Sequence, residues 1–167
     1  MVKADSYIET GKALPVEQVM ALMNASNFFS GYDDDDIKLL SEWVNAYSIP
    51  SGEFILKEGK GDNCLCILVE GAVDIYKETD PDKHLKIASV GPHEPIGEMG
   101  VVDGEPFSAS VITSTDSTVL IITKRDFDTL TEKNEKLGLR MLRKIARIIS
   151  ARLRSTTGRL ADLLSNR

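Results

Sequence analysis

Residues 49–77 read IPSGEFILKEGKGDNCLCILVEGAVDIYK, three short apolar-rich runs cut apart by glycines and acids. The runs EFILKE (53–58), CLCILVE (64–70) and AVDIYKE (72–78) are too short for helices. They hold the β-branched and aromatic residues that suit a pleated, half-buried surface. The intervening EGKGD (58–62) and EG (70–71) are turn chemistry. Beyond residue 77 the same texture continues through HLKIASV (84–90), SASVITS (108–114) and STVLIIT (117–123). Turns are expected at TDPDK (79–83), GPHEP (91–95) and VDGEP (102–106). Six or more short strands at this spacing predict an antiparallel barrel or jelly roll.

Cys64 and Cys66 stand two apart, so on a strand both point to one face. Same-strand neighbours have poor disulfide geometry, and no second Cys pair or His cluster accompanies them. Packing in the core is the expectation. His84 and His93 are nine residues apart with no HxH pair, and are expected at turns or on the surface.

Helical patterns flank the β region. Residues 14–29, LPVEQVMALMNASNFF, start with Pro15 in a first turn and repeat apolar residues at Val16, Val19, Met20 and Met23. A second helix is expected over DDDDIKLLSEWVNAY (33–47), its acidic run placed where the helix macrodipole favours negative charge. Asp33 to Asp36 lack the alternating ligands, glycine and distal Glu of a calcium loop. TKRDFDTL (123–130) begins a short helix. From about Asn134 to Leu164, steps of three and four join Leu139, Leu142, Ala146, Ile149, Leu153, Thr156, Leu160 and Leu163. This is an a/d seam over more than three heptads. Leu137, Met141, Ile145 and Ile148 make a second stripe. A homodimer through the seam is expected.

The chain has 167 residues and a net charge of −6, unevenly spread. Residues 1–123 carry 8 Lys/Arg against 21 Asp/Glu, net −13, and residues 124–167 carry 12 against 5, net +7. Lys136 to Arg159 holds eight basic residues and no acid, a run compatible with non-specific nucleic-acid contact. No apolar run reaches the roughly 18 residues that would cross a bilayer, and the N-terminus shows no apolar signal region. The expectations are a cytoplasmic location and no membrane.

Residues 96–111, IGEMGVVDGEPFSASV, have the make-up of a phosphate cradle without a cation. Glycines let backbone approach a ligand, and a helical turn starting at Gly97 would aim N–H groups at an anion. Glu98 can accept from a sugar hydroxyl, and Ser108 and Ser110 supply small hydroxyls. Nothing basic lies between Lys86 and Lys124, so a compensating cation would come from elsewhere, the long helix included.

Taken together, the order helix, jelly roll, short helix, long helix resembles the cyclic nucleotide-binding domain family. This is the family of the catabolite activator protein and the regulatory subunits of protein kinase A. The resemblance runs from about Tyr32 to Leu153, with Gly52, Gly59, Gly61, Asp62 and Gly71 at the family's turn positions. Residues 96–111 look like its phosphate-binding cassette. It implies an α+β fold: an antiparallel β jelly roll (a double-stranded β-helix) with N-terminal helices and a long C-terminal dimerisation helix. The implied segments are 1–32, helical; 33–133, the β-roll with flanking helices; and 134–167, the dimer helix. Ligand contacts are implied at Gly97, Glu98, Met99, Gly100, Phe107, Ser108, Ala109 and Ser110. At position 107 the family places an arginine that neutralises the cyclic phosphate, and Phe107 cannot do so. Hydrogen bonds to a charged group contribute about 1.5–3 kcal/mol each, so losing a bidentate pair weakens binding by roughly a hundredfold or more.

The expected function is a non-enzymatic regulatory sensor in which a ligand such as cyclic AMP (cAMP) or cyclic GMP (cGMP) moves the C-terminal helix. No metal and no cofactor are expected. The alternative is a degenerate, ligand-free dimerisation or interaction module. Too few residues follow Leu164 for a helix-turn-helix, so sequence-specific DNA reading is not expected.

Overall fold

The computed structural model describes residues 11–80 and 83–165. The first ten residues of the expected N-terminal segment, and part of the turn expected at 79–83, lie outside the described residues. The chain divides into two compact units, Met1–Asp128 and Thr129–Arg167.

Among the described residues of the first unit, nine strands form two antiparallel sheets. They are β1 (Lys12–Ala13), β2 (Asn45–Ile49), β3 (Phe54–Leu56), β4 (Cys64–Glu70), β5 (Val73–Asp80), β6 (Lys83–Val90), β7 (Pro95–Ile96), β8 (Ser110–Thr113) and β9 (Ser117–Thr123). One sheet runs β1-β2-β9-β4-β7 and the other β3-β8-β5-β6. Consecutive strands therefore alternate between sheets in several places, as a jelly roll requires. Tyr47, Ile49, Cys64, Cys66, Leu68, Val119 and Ile121 from the first sheet meet Ile55, Leu56, Val73, Val90 and Val111 from the second in one core. Leu65, Ile67, Leu120 and Ile122, on the opposite face of β4 and β9, are buried as well. That second face needs a cover. Helix α1 (Val16–Ala25) lies on β2 and β9, and α2 (Asp34–Ser41) packs against α1.

The cysteines are free and buried in the roll. Burial pushes the Cys64 thiol up to about 12, with nearby Asp62 adding to the effect. Burial likewise raises Cys66 well above the ordinary thiol range. The acidic run caps a helix. The Asp33 carboxylate accepts from the Asp36 N–H at 2.9 Å, and the Asp36 carboxylate accepts from the Asp33 N–H at 3.3 Å.

Two helices are shorter than their patterns predict. The first, expected over 14–29, ends at Ala25, and Ser26 caps a separate 3-10 turn at Asn27–Phe29 by accepting from the Phe28 N–H. The second helix stops at Ser41, and Asn45–Tyr47, expected to continue it, open β2 instead. Tyr47 pairs with Val119 of β9 and is buried in the roll, so the ladder and core override a helical pattern that is local only. Pro95, expected in a turn, begins β7, a two-residue strand set by its pairing with β4. His84 is exposed on β6, while His93 takes a left-handed conformation (φ 71°) in the turn before β7.

Helix α4 (Lys124–Lys133) leads into the second unit, whose main element is the 31-residue α5 (Glu135–Ser165). Asn134 caps α5, its side-chain oxygen accepting from the Leu137 N–H at 3.0 Å. At 1.5 Å per residue α5 is about 46 Å long. Leu137, Met141 and Ile145 are buried, whereas the seam residues Leu139, Leu142, Leu153, Leu160 and Leu163 are exposed, Leu153 by 65% and Leu163 by 71%. Among the described residues no helix is long and apolar enough to cross a membrane.

Candidate functional site: the cassette between β7 and β8

The cassette starts where β7 ends. Pairing of Ile96 with Cys66 of β4 brings the next residue against β4 backbone. That residue, Gly97, sits at φ 75°, and a Cβ there would lie 2.4 Å from the Cys64 carbonyl oxygen. Only glycine fits both the conformation and the space. Gly97 turns the chain into α3 (Glu98–Asp103), whose first-turn amides lack intrahelical acceptors. Gly104, at φ 77°, ends the helix with its N–H donating to the Gly100 carbonyl at 3.0 Å. Gly100 packs on Asn63, where a Cβ would fall 2.5 Å from Oδ1. That buried oxygen has no hydrogen-bond partner, while the Asn63 carbonyl accepts from the Lys124 N–H that opens α4.

The eight candidate residues are unequal in position. Glu98 is buried, at 5% exposure, on the inner side of α3, and Met99 faces solvent at 48%. Phe107 turns inward: the residue is 7% exposed and belongs to the core of the roll. Its Cε1 lies 3.4 Å from where a Gly97 Cβ would stand, so the ring lines the underside of the cassette turn. Its backbone is held on both sides, Phe107 N–H to the Lys60 carbonyl and Gly59 N–H to the Phe107 carbonyl, each at 2.9 Å. Ala109 is half-buried and Ser108 exposed. The Ser110 hydroxyl accepts from the Glu58 N–H at 2.9 Å, so it ties β8 to the β3 edge.

The cation absent from the cassette stands beside it. Lys77 of β5 donates through Nζ to the Ser108 carbonyl at 2.7 Å and pairs with Glu58. Glu58 also accepts from the Glu78 N–H at 2.9 Å. That backbone bond, then Lys77, hold its carboxyl below the usual carboxylate range. Lys77 is half-exposed and shares its charge with Glu58, so this is a local tie and only a modest source of positive potential. Lys77, Glu58 and Asn63 are invisible to a search along the cassette, because strand pairing brings them in from 31 or more positions away. The one available signal is the charged pair at the ends of two predicted strands.

Gly97→Ala is expected to destabilise the protein by more than about 2 kcal/mol, since left-handed strain and a backbone clash add. Gly104→Ala meets nothing closer than the Lys124 Cε at 3.5 Å and should cost only the strain, about 1–2 kcal/mol. Urea unfolding of the two variants measures the difference; equal losses would mean that the approach of Gly97 to β4 is not a constraint.

Comparison with known proteins matches this geometry. The family model described as the cyclic nucleotide-binding domain covers residues 47–134. A CRP-like cAMP-activated global transcriptional regulator of Mycobacterium tuberculosis is 24% identical over 143 residues, which are 86% of this chain and 62% of that protein. The chain thus spans less than two thirds of that relative's length. Among solved structures, a cyclic nucleotide-binding domain from Methylobacillus flagellatus superposes with a TM-score of 0.79 at 23% identity, covering 96% of this chain and 92% of the other. A mutant regulatory subunit of a cAMP-independent protein kinase A from Trypanosoma brucei, bound to cAMP in its A site, gives a TM-score of 0.63 at 18% identity over 84% of this chain and 47% of the other. With its family model over more than half of its length, a jelly roll and a glycine-bounded cassette helix, this chain belongs to the cyclic nucleotide-binding domain family.

Proposed function

We propose that this chain is a non-enzymatic regulatory module that acts through its C-terminal helix, and that its cassette keeps its shape without a cyclic nucleotide. The burial of Phe107 in the roll carries this reading. In this reading Phe107 occupies the position where the family has its phosphate-neutralising arginine. Its ring fills apolar space under Gly97, and its two backbone bonds hold the cassette's end to the Gly59–Lys60 turn. The neighbouring Lys77 is already engaged by Glu58 and Ser108. The net −13 of residues 1–123 further disfavours an anion.

A ligand sensor is the second reading, favoured by the place of Glu98, buried at the start of the cassette helix, where its carboxylate could accept from a sugar hydroxyl. In both readings the output is α5. Its exposed leucine seam, apart from the buried Leu137, Met141 and Ile145, supports a homodimer that covers Leu139, Leu142, Ala146, Ile149, Leu153, Thr156, Leu160 and Leu163.

Isothermal titration with cAMP and cGMP separates the readings. The wild type is expected to give no binding below about 1 mM, and Phe107→Arg to bind at about 10 µM or tighter, a gain of a hundredfold or more. Phe107→Leu, which keeps the core apolar, should stay silent. Micromolar binding by the wild type would contradict the proposal. For the dimer, sedimentation velocity of a Leu153→Glu, Leu160→Glu double variant is expected to show a monomer with its β-roll intact. A variant that sediments as the wild type does would remove the seam from the interface.

A further inference from the structure

Helix α5 holds two glycines, and they differ in what surrounds them. A Cβ on Gly138 would fall 2.6 Å from Thr131 Cγ2 and 2.8 Å from Thr131 Cα, so the close approach of α4 and α5 requires glycine there. A Cβ on Gly158 would meet nothing within 4 Å, and its φ is outside the left-handed region. At 3.6 residues per turn, Gly158 also stands about 160° from Thr156 and from Leu160, on the side of the helix away from the seam. No turn, packing contact or pairing calls for it. What remains is its effect on the helix, which glycine weakens more than any residue but proline.

Gly158 closes a run of weak helix formers, Ser155, Thr156 and Thr157 before it. Their hydroxyls compete with the helical backbone, and Thr157 Oγ1 donates to the Leu153 carbonyl at 2.9 Å. Relative to four alanines the run disfavours helix on the order of a hundredfold. Tertiary contact does not offset this loss. The buried residues of α5 are Leu137, Gly138, Met141 and Ile145, and every residue from Leu153 to Ser165 is exposed. Helix nucleated over the packed part must propagate through the run, and the roughly two turns beyond it are too short to recover the loss. Those turns carry Leu160 and Leu163 of the seam, exposed by 55% and 71%.

We propose that the tail of α5, Ser155–Ser165, folds into helix only as it pairs with the tail of a second copy of the chain. The helix over Glu135–Ser165 is then the form of the paired chain. This rests on the homodimer reading above and adds to it a coupling between folding and association. Covering Leu160 and Leu163 supplies the free energy that the weak run withholds. The seam up to Leu153 holds the partner first, and the tail sets how readily the pair comes apart.

Sedimentation velocity of the full chain over a dilution series, with hydrogen exchange on the same samples, tests this. Amides of the tail should gain protection in step with the dimer fraction, while those of Met141 and Ile145 stay protected throughout. Gly158→Ala makes the test thermodynamic, because the added methyl faces away from the seam and acts through helix formation alone. Where the tail folds on pairing, dimer affinity should rise about twentyfold, four- to fivefold for each of the two tails. Where the tail is already helical in the monomer, free and paired chains gain alike. Unchanged affinity, or a tail protected in the monomer, would therefore overturn the proposal and leave the dimer standing. A wild type and a Gly158→Ala variant that both stay monomeric would overturn the homodimer reading, and the coupling with it.

Discussion

The Phe107 ring beneath the cassette is the contact on which the site depends. It joins three parts that are distant in sequence: the Gly59–Lys60 turn, the Gly97 turn and the interior of the roll. Burying such a side chain stabilises by about 1.5–3 kcal/mol, and the two backbone bonds add about 0.5–1.5 kcal/mol each. An arginine in the same place would leave a buried charge unpaired until an anion arrived, at a cost of about 3–5 kcal/mol. Its cassette would then be stabilised by ligand through mass action. With phenylalanine, the proposed reading makes the stabilisation internal, so that the cassette's order does not depend on a ligand.

Much of this was legible in the sequence because it is written locally. Strand β4, strand β9 and the long helix carry their own periodicity, and Gly97 and Gly104 mark the two left-handed turns that bound α3. What was not legible depends on pairing between distant segments. Asn45–Tyr47 looked helical because its pattern continues α2; only the β9 partner makes it a strand. Two-residue β7 has no pattern at all and exists through β4. Phe107 was readable as a missing charge, but its inward packing was not, since a proline-flanked loop residue gives no signal of which way it turns. Lys77 reaches the cassette from β5, 31 positions before the Ser108 carbonyl it donates to.

Charge is segregated as sharply as the fold. The roll carries the acids and the helix carries the arginines, so each half has a different class of partner open to it. The helix carries one apolar stripe that is buried and one that is exposed.

Hydrogen exchange of the Phe107 and Gly59 amides, followed with and without 1 mM cAMP, tests the central claim most directly. Both N–H groups are donors in the pair that holds the cassette's end. The account predicts that in the free protein they exchange only with global unfolding, and that cAMP leaves their rates unchanged. Rapid exchange in the free protein, slowed tenfold or more by cAMP, would contradict it and show that the cassette waits for its ligand.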